Sequence, residues 1–480
     1  MRELNKGKLP LSTKIGFGVG DIYGGGSMMI IGFYYLYFLT DVVLLTPALA
    51  GVVILVSKAW DAVTDPLMGV ISDRTRTRFG RRRPYFLAGI VLIFLSFFAM
   101  WYPVDFGKEI HRFIYILVAY VFFSSVITLV MIPYNALVPE LTPDYNERTS
   151  LASFRIFFSG FSSLVCAVVP WEIVKAFKPD VNTGFIVMAT AFGLFFALPF
   201  IATFLSTRER PEFQQDTMPF SLKGTFIEPF KTPTFVSVLL MYVFAFVAMD
   251  MVMSVIIYFM TYYVGKQDET NYVLGVLLVV QLAVIPAYYL FSKRTSKKTA
   301  FITAVAFWIC SMSLSFAIGP DSPTFLIYLF GALVGAGTGG VVIMIYAIFP
   351  DIPDIDELYS GVRREGLYSG MFTFMRKLSS AAGLFAVSTI IGLAGYRAPI
   401  DGLQQPQSDQ FILVLRIIFV AVPAVMLALC LASAISFSLT PSLHRRVKDF
   451  LEKRRTAAGS KGDMLAEERQ LKQILEKRGR

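Results

Sequence analysis

Histidine is almost missing from this sequence: 480 residues contain two, His111 and His444. Both stand outside the apolar segments. No internal imidazole is therefore available for a metal site, a catalytic triad or a proton relay. Cysteine is equally scarce, with Cys166, Cys310 and Cys430 each inside an apolar segment. These offer neither metal-ligand spacing nor a disulfide framework and read as small apolar residues. Charge is thin as well, at 16% of residues, where a soluble domain carries about a quarter. No phosphate loop and no nucleophile beside a base can be found, which argues against an enzyme.

What fills the space is oil. The chain is 55% hydrophobic and its mean hydropathy is +0.61. About twelve apolar stretches, each near 20 residues or longer, read as membrane spans. They cover residues 13–40, 47–72, 84–104, 112–140, 149–176, 184–206, 233–265, 271–293, 299–318, 324–349, 367–395 and 410–438. Over such lengths in lipid only helices satisfy their own backbone groups, so the expected fold is an all-α membrane bundle.

The formal charge is +10, but the excess lies in short loops and at the C-terminus. Cytoplasmic charge bias explains it more cheaply than a nucleic-acid-binding face, so no nucleic-acid partner is expected. Six arginines, Arg74, Arg76, Arg78, Arg81, Arg82 and Arg83, crowd the loop after the second span. Residues 41–46 and 319–323 hold no lysine or arginine. Both termini are thus expected in the cytoplasm, with the chain a multi-pass protein of the plasma (inner) membrane. The N-terminus is basic but runs straight into a full span, so no removable signal peptide is expected. The polar break at 207–232 divides the spans six and six, as in a transporter built from two related halves. The expected organisation is an N-terminal half (1–206), a linker (207–232), a C-terminal half (233–438) and a charged cytoplasmic tail (439–480). The stretch from Met464 could form a surface helix; a solvated tail is the plainer alternative.

Ionisable residues inside the spans are the main functional signal, because each costs about 2.5–3.5 kcal/mol at the bilayer centre on insertion scales. They are Asp21, Lys58, Asp61, Asp65, Arg155, Asp250 and Lys377. In WDAVTDP, residues 60–66, Asp61 and Asp65 are one helical turn apart and share a face. Two ionised carboxylates this close repel, so either one keeps a proton or a cation sits between them. A plain Lys58–Asp61 ion pair with a wet Asp65 is the competing reading. Asp21 lies among Gly16, Gly18, Gly20, Gly24, Gly25 and Gly26, which permit close packing or local unwinding. Arg155 and Lys377 could pair with these acids or meet a polar ligand. Arg376 and Lys377 are adjacent and so face different sides of their helix. Asp250 reads equally well as a binding group or as a water-exposed residue at a kink.

Three ordered blocks sharpen this. WDAVTDPLMGVISDRTRTRFGRRRPY, IPYNALVPELTPDYNERTSLASFR and DIPDIDELYSGVRREGLYSG together resemble the glycoside–pentoside–hexuronide:cation symporters, the melibiose-permease-like branch of the major facilitator superfamily. The resemblance covers nearly all of residues 13–438. It implies twelve transmembrane helices in two six-helix halves around a central cavity. It also implies import of a sugar or glycoside coupled to a monovalent cation, Na+ or H+, with no cofactor. The family's cation site matches Asp61 and Asp65, with Thr64 and Thr128 as polar neighbours; if sodium is the ion, the two acids are its ligands. Its sugar site matches Asp21, Arg155 and Lys377. Asn135 falls where the best-known melibiose carriers have a tryptophan, and Met131 where they have a further aspartate. Their span-10 tryptophan is replaced near Val342. Losing the aspartate removes an oxygen ligand and leaves proton coupling better supported than sodium.

The arginine-rich loop resembles the superfamily's conserved loop. Its Asp73, Arg81 and Arg82 would bridge helices in the outward-facing state. Asp351, Asp354, Arg363 and Glu365 could form the matching cytoplasmic gate. The aromatic stripe 33–38, including Tyr34, could stack on apolar sugar faces. Lipid contact is the commoner use of such aromatics, and Trp101 and Trp171 suit that use at the outer boundary. The alternative cargo is a lysolipid or other amphiphile, carried by animal relatives of this fold; Met131 makes the cavity greasier.

Overall fold

The computed structural model describes residues 8–142, 144–209, 230, 233–361, 365–400, 404–437, 439–455 and 461–478. These form helices and connecting turns, with no β-strand among the described residues. Eleven helices are long and apolar enough to cross a membrane. A further crossing is built in pieces: Leu11–Gly18, Asp21–Ile30, and the wide π-helical turns Ile31–Tyr35 and Phe38–Val42. The chain is therefore an all-α, multi-pass membrane protein.

The break in the first crossing falls at Val19 and Gly20, just before Asp21. The glycine-rich sequence serves both uses expected of it. The helix is interrupted there, and beyond the break it packs against the fifth span, Tyr145–Ala176. A methyl on Gly25 would stand 2.1 Å from the Ser159 hydroxyl, and one on Gly26 2.1 Å from that of Ser162. Only glycine permits that approach.

Two faces join the N-terminal and C-terminal sets of helices. The second span, Pro47–Arg74, packs on the eleventh, Glu365–Leu393, and the fifth on the eighth, which begins at Thr270. The hydrogen bonds across this divide include Tyr262 to Asp41 (2.5 Å), Thr40 with Tyr258 (2.5 Å), Gln267 to Tyr37 (3.0 Å) and Asn271 to Glu172 (2.7 Å). Ser388 also donates to the Pro47 carbonyl. All of these lie at the end opposite the arginine loop. The cavity between the halves is sealed there, while toward the arginine loop its wall becomes exposed at Asn135 and Tyr346.

Two sequence expectations are corrected here. Trp101 and Trp171 are not interfacial anchors: they are 0% and 4% exposed. The stripe 33–38 is buried with them, where Tyr35 and Phe38 pack on Trp101 and Tyr34 stacks on Trp171. The aromatics plug the sealed end. The tail is also more than a solvated segment. It forms helices Pro441–Arg455 and Lys461–Arg478. Leu443, Val447, Phe450 and Leu451 recur at helical spacing and are buried. The tail helices pack on the short helix Ile352–Ser360.

The seal is testable. A Cβ on Gly51 would stand 3.0 Å from that of Ser388, so a small outward shift would bring the pair to the roughly 3.5–4.5 Å that a disulfide spans. With the three native cysteines replaced by serine, Gly51→Cys with Ser388→Cys should cross-link under mild oxidation. Failure to cross-link would contradict a closed end at this place.

Candidate functional site

The midplane cavity has a volume of about 580 Å³. Four acids and four bases line it: Asp21, Asp61, Asp65 and Asp250, with Lys58, Arg155, Arg376 and Lys377. Every intramembrane ionisable residue singled out from the sequence therefore reaches one space, and Arg376 joins them.

Asp61 and Asp65 are held by the second span, inside one helical face. Pro66 follows directly and carries no N–H, so the Ala62 carbonyl loses its helical partner beside the acids. Asp61 is 1% exposed. Its Oδ2 lies 3.6 Å from the Lys58 ammonium and 3.8 Å from that of Lys377. Its Oδ1 is buried with no hydrogen-bond partner. Asp65 accepts from the Thr128 hydroxyl at 2.7 Å and is in close contact with the Lys377 ammonium. The Lys58–Asp61 pair expected from the spacing is present, and the positive group beside both acids is the Lys377 ammonium, from the opposite half.

The orphaned Oδ1 matters. A buried carboxylate oxygen without a donor costs free energy that an incoming proton or metal ion would recover. Thr128, Asp61 and Asp65 supply hard oxygen donors of the kind sodium takes. Among the described residues no group of three or more His, Cys, Asp or Glu stands together as a metal site. Met131 is 8% exposed and lines the cavity; its Cε lies 2.5 Å from where a Gly24 side chain would begin.

On the N-terminal wall, the Arg155 guanidinium meets Asp21 at 3.2 Å and lies over the Tyr134 ring at 5.4 Å. Asn135 lines the same wall. On the C-terminal wall, Arg376 grips Asp250 with two parallel hydrogen bonds of 2.6 and 2.7 Å. The divergence of Arg376 and Lys377 is as the sequence implied: one reaches the seventh span and the other the second.

Not every candidate reaches the cavity. Tyr34 points away from it, donating to the Ala167 carbonyl at 2.5 Å, while its neighbour Tyr35 lines the cavity. Thr64 donates to the Trp60 carbonyl of its own helix at 3.0 Å and is not part of the lining. The described gate candidates have these partners. Arg82 pairs with Asp73, and both Arg81 and Arg82 bind Glu140 (2.6–3.1 Å). Glu209 accepts the backbone N–H groups of Arg81, Arg82 and Arg83. Across the divide, Asp351 pairs with Lys297 (2.6 Å) and Asp354 with His444 (3.0 Å). Arg363 lies outside the described residues, as does the side chain of Glu365.

Sequence reasoning missed Arg376 as a cavity group, and it missed Glu140, Glu209 and Asp41. Glu140 lies in the block IPYNALVPELTPDYNERTSLASFR and Glu209 at the start of the polar break 207–232, and nothing in the sequence marks a partner for either. Asp41 offered a signal, an acid at a span end facing a tyrosine-rich segment.

A two-sided helical bundle with ionic groups gathered at its midplane is the build of a secondary transporter. The chain belongs to the MFS/sugar transport protein family, whose model matches residues 16–441. It is 28% identical to the putative glycoside/cation symporter YagG of Escherichia coli (strain K12), over 94% of this chain and 97% of that one. It is 24% identical to the sodium-dependent lysophosphatidylcholine symporter 1-A of Danio rerio, over 88% and 85%. The xylose transporter XylE from E. coli, solved in an inward open conformation, shares the fold with a TM-score of 0.59 and 15% identity, over 85% of this chain and 94% of that one.

The Lys377 bridge yields a stability prediction. Lys377→Met leaves Asp65 short of its cation, and Asp65→Asn leaves the ammonium short of its anion. Each should lower the melting temperature in detergent. The double variant should be more stable than their sum predicts, by a coupling of about 1–3 kcal/mol. Additive losses would mean that the contact carries no energy.

Proposed function

We propose that the chain imports a sugar or glycoside together with a monovalent cation, Na+ or H+, by alternating access. The observation that carries this is the Lys377 bridge: an ammonium from one half rests on the two acids of the other. The family and the named relatives support a coupled carrier. The arginine loop, the linker 207–232 and both chain ends would face the cytoplasm across the inner membrane, as basic loops do. Residues 1–206 and 233–438 would then be the two rocking halves. On that orientation the sealed, aromatic end would face outside.

In this mechanism the outward-facing carrier takes a cation at Asp61 and Asp65, with Thr128 as a further oxygen donor. That neutralises the pair and frees Lys377 from it. Asp21 and Arg155 accept and donate to sugar hydroxyls, with Lys377 and Asn135 completing the wall. Closure of the outer end brings Lys377 back onto the acids, which expels the cation inward. Because the coupling is reciprocal, sugar tightens cation binding by the factor by which the cation tightens sugar. Asp73, Arg81 and Arg82 would meet Asp351, Asp354, Arg363 and Glu365 when the cytoplasmic end closes in turn. Their present partners in each half are the ones they would exchange.

The lysophosphatidylcholine relative raises an amphiphile as second cargo, and Met131 favours it locally. Eight charged groups around one cavity favour a hydroxyl-rich cargo more strongly. An acyl chain beside them would strand desolvated polar atoms.

Uptake into proteoliposomes decides the point, using a panel of sugars and glycosides under imposed Na+ or H+ gradients. Asp61→Asn and Asp65→Asn should each cut gradient-driven uptake more than tenfold, about 1.4 kcal/mol or more. Met131→Asp should strengthen sodium dependence by restoring an oxygen ligand. Gradient-driven uptake that survives both Asn substitutions would overturn the cation site. Movement of lysolipid in place of sugar would overturn the cargo.

A further inference from the structure

The cavity holds two Asp–Arg pairs, one on each half, and the sugar site as read above uses only the first. The second, Asp250–Arg376, has no role in that mechanism. Its surroundings are those of a binding site. Arg376 and Asp250 are partly exposed, 22% and 15% by side chain, and both line the cavity. The pair uses two of the five guanidinium N–H groups and one lone pair on each carboxylate oxygen. Donors and acceptors remain on both partners.

Aromatic rings frame the pair. The Arg376 guanidinium lies 4.9 Å above the Phe246 ring, and Tyr242 packs on Phe246 at 4.6 Å. Tyr346, on the tenth span, meets both rings edge-on at 6.4 Å. It lines the cavity yet is 54% exposed. An aromatic more than half bare, beside an ion pair with spare hydrogen-bonding capacity, offers a flat apolar surface and a polar clasp together. Purely structural use explains this poorly, because an ion pair left partly exposed to a cavity adds little to stability.

We propose that Asp250, Arg376 and Tyr346 form a second sugar subsite, taking the distal ring of a neutral two-ring glycoside whose first ring lies at Asp21 and Arg155. The proposal rests on the sugar-transport reading and deepens it. Asp250 accepts from ring hydroxyls, Arg376 donates to them, and Tyr346 covers an apolar ring face. The occupied pair stays neutral overall, so the cargo brings no charge of its own. A cavity of about 580 Å³ is within the range of small-ligand sites, about 300–1,000 Å³. A ligand clasped by one pair on each half also ties binding to the approach of the halves.

The test compares single rings (glucose, galactose, xylose) with two-ring glycosides (melibiose, lactose, cellobiose, xylobiose) in full-length protein. Binding is read as ligand-induced thermal shift, and transport as counterflow in proteoliposomes. Wild type should prefer at least one two-ring glycoside. Asp250→Asn, Arg376→Lys and Tyr346→Ala should each weaken that glycoside at least tenfold relative to the best single ring, with the cation preference unmoved. Tyr346→Ala removes an exposed side chain, so its result stands even if a charge variant misfolds. Equal losses for one and two rings, or no loss in any variant, would overturn the subsite. A wild type that takes single rings only would overturn it while leaving sugar transport intact. A wild type that takes no sugar would overturn the transport reading and the subsite with it.

Discussion

The structure depends on one contact, the Lys377 ammonium of the C-terminal half held against Asp61 and Asp65 of the N-terminal half. Two charges about 4 Å apart attract by about 4 kcal/mol at an effective dielectric of 20. Much of that is returned as the cost of taking them out of water. What remains is a modest net attraction across the divide, which the proposed mechanism has a cation from solution contest. A hydrophobic contact at the same place could join the halves but could not be broken by an ion.

Other features fall into place around that contact. Tight packing of the second span on the eleventh brings Lys377 to the acids, and the aromatic plug at the sealed end keeps the helices together there. Lys58 balances the second negative charge, so the described cavity carries four acids and four bases. Met131 leaves two carboxylates where a richer cation site would have three. Under the proposed mechanism, two acids facing one lysine suit an exchange of cations better than a deep, selective cage.

Much of the site was legible in the sequence. A charge in a lipid span is costly enough that Asp21, Asp61, Asp65, Arg155 and Lys377 stood out on composition alone, and the structure gathers them in one cavity. The helical repeat put Asp61 and Asp65 on one face. What the repeat could not supply was the rotation of each helix about its axis. Tyr34 and Tyr35 differ by one position, and only the second turns to the cavity. Nor could spacing reveal partners far apart in the chain. Arg376 was set aside as the neighbour of Lys377, yet its long side chain reaches Asp250 across the helix boundary. Trp101 and Trp171 misled for a different reason. An aromatic near a membrane boundary suits lipid and a packed helix end equally well, and only the neighbouring rings decide. Arg363 and the side chain of Glu365 fall outside the described residues and leave that part of the gate a sequence-based expectation.

The central claim is that Lys377 stands in for the transported cation. Direct cation binding to purified protein tests it, by isothermal titration of Na+ or by proton uptake on protonation of the acids. Lys377→Gln removes the internal competitor and leaves Asp61, Asp65 and Thr128 in place. The account predicts that this variant binds the coupling cation at least tenfold more tightly than wild type. Equal or weaker binding would contradict it, because the ammonium would then be a bystander to the acids.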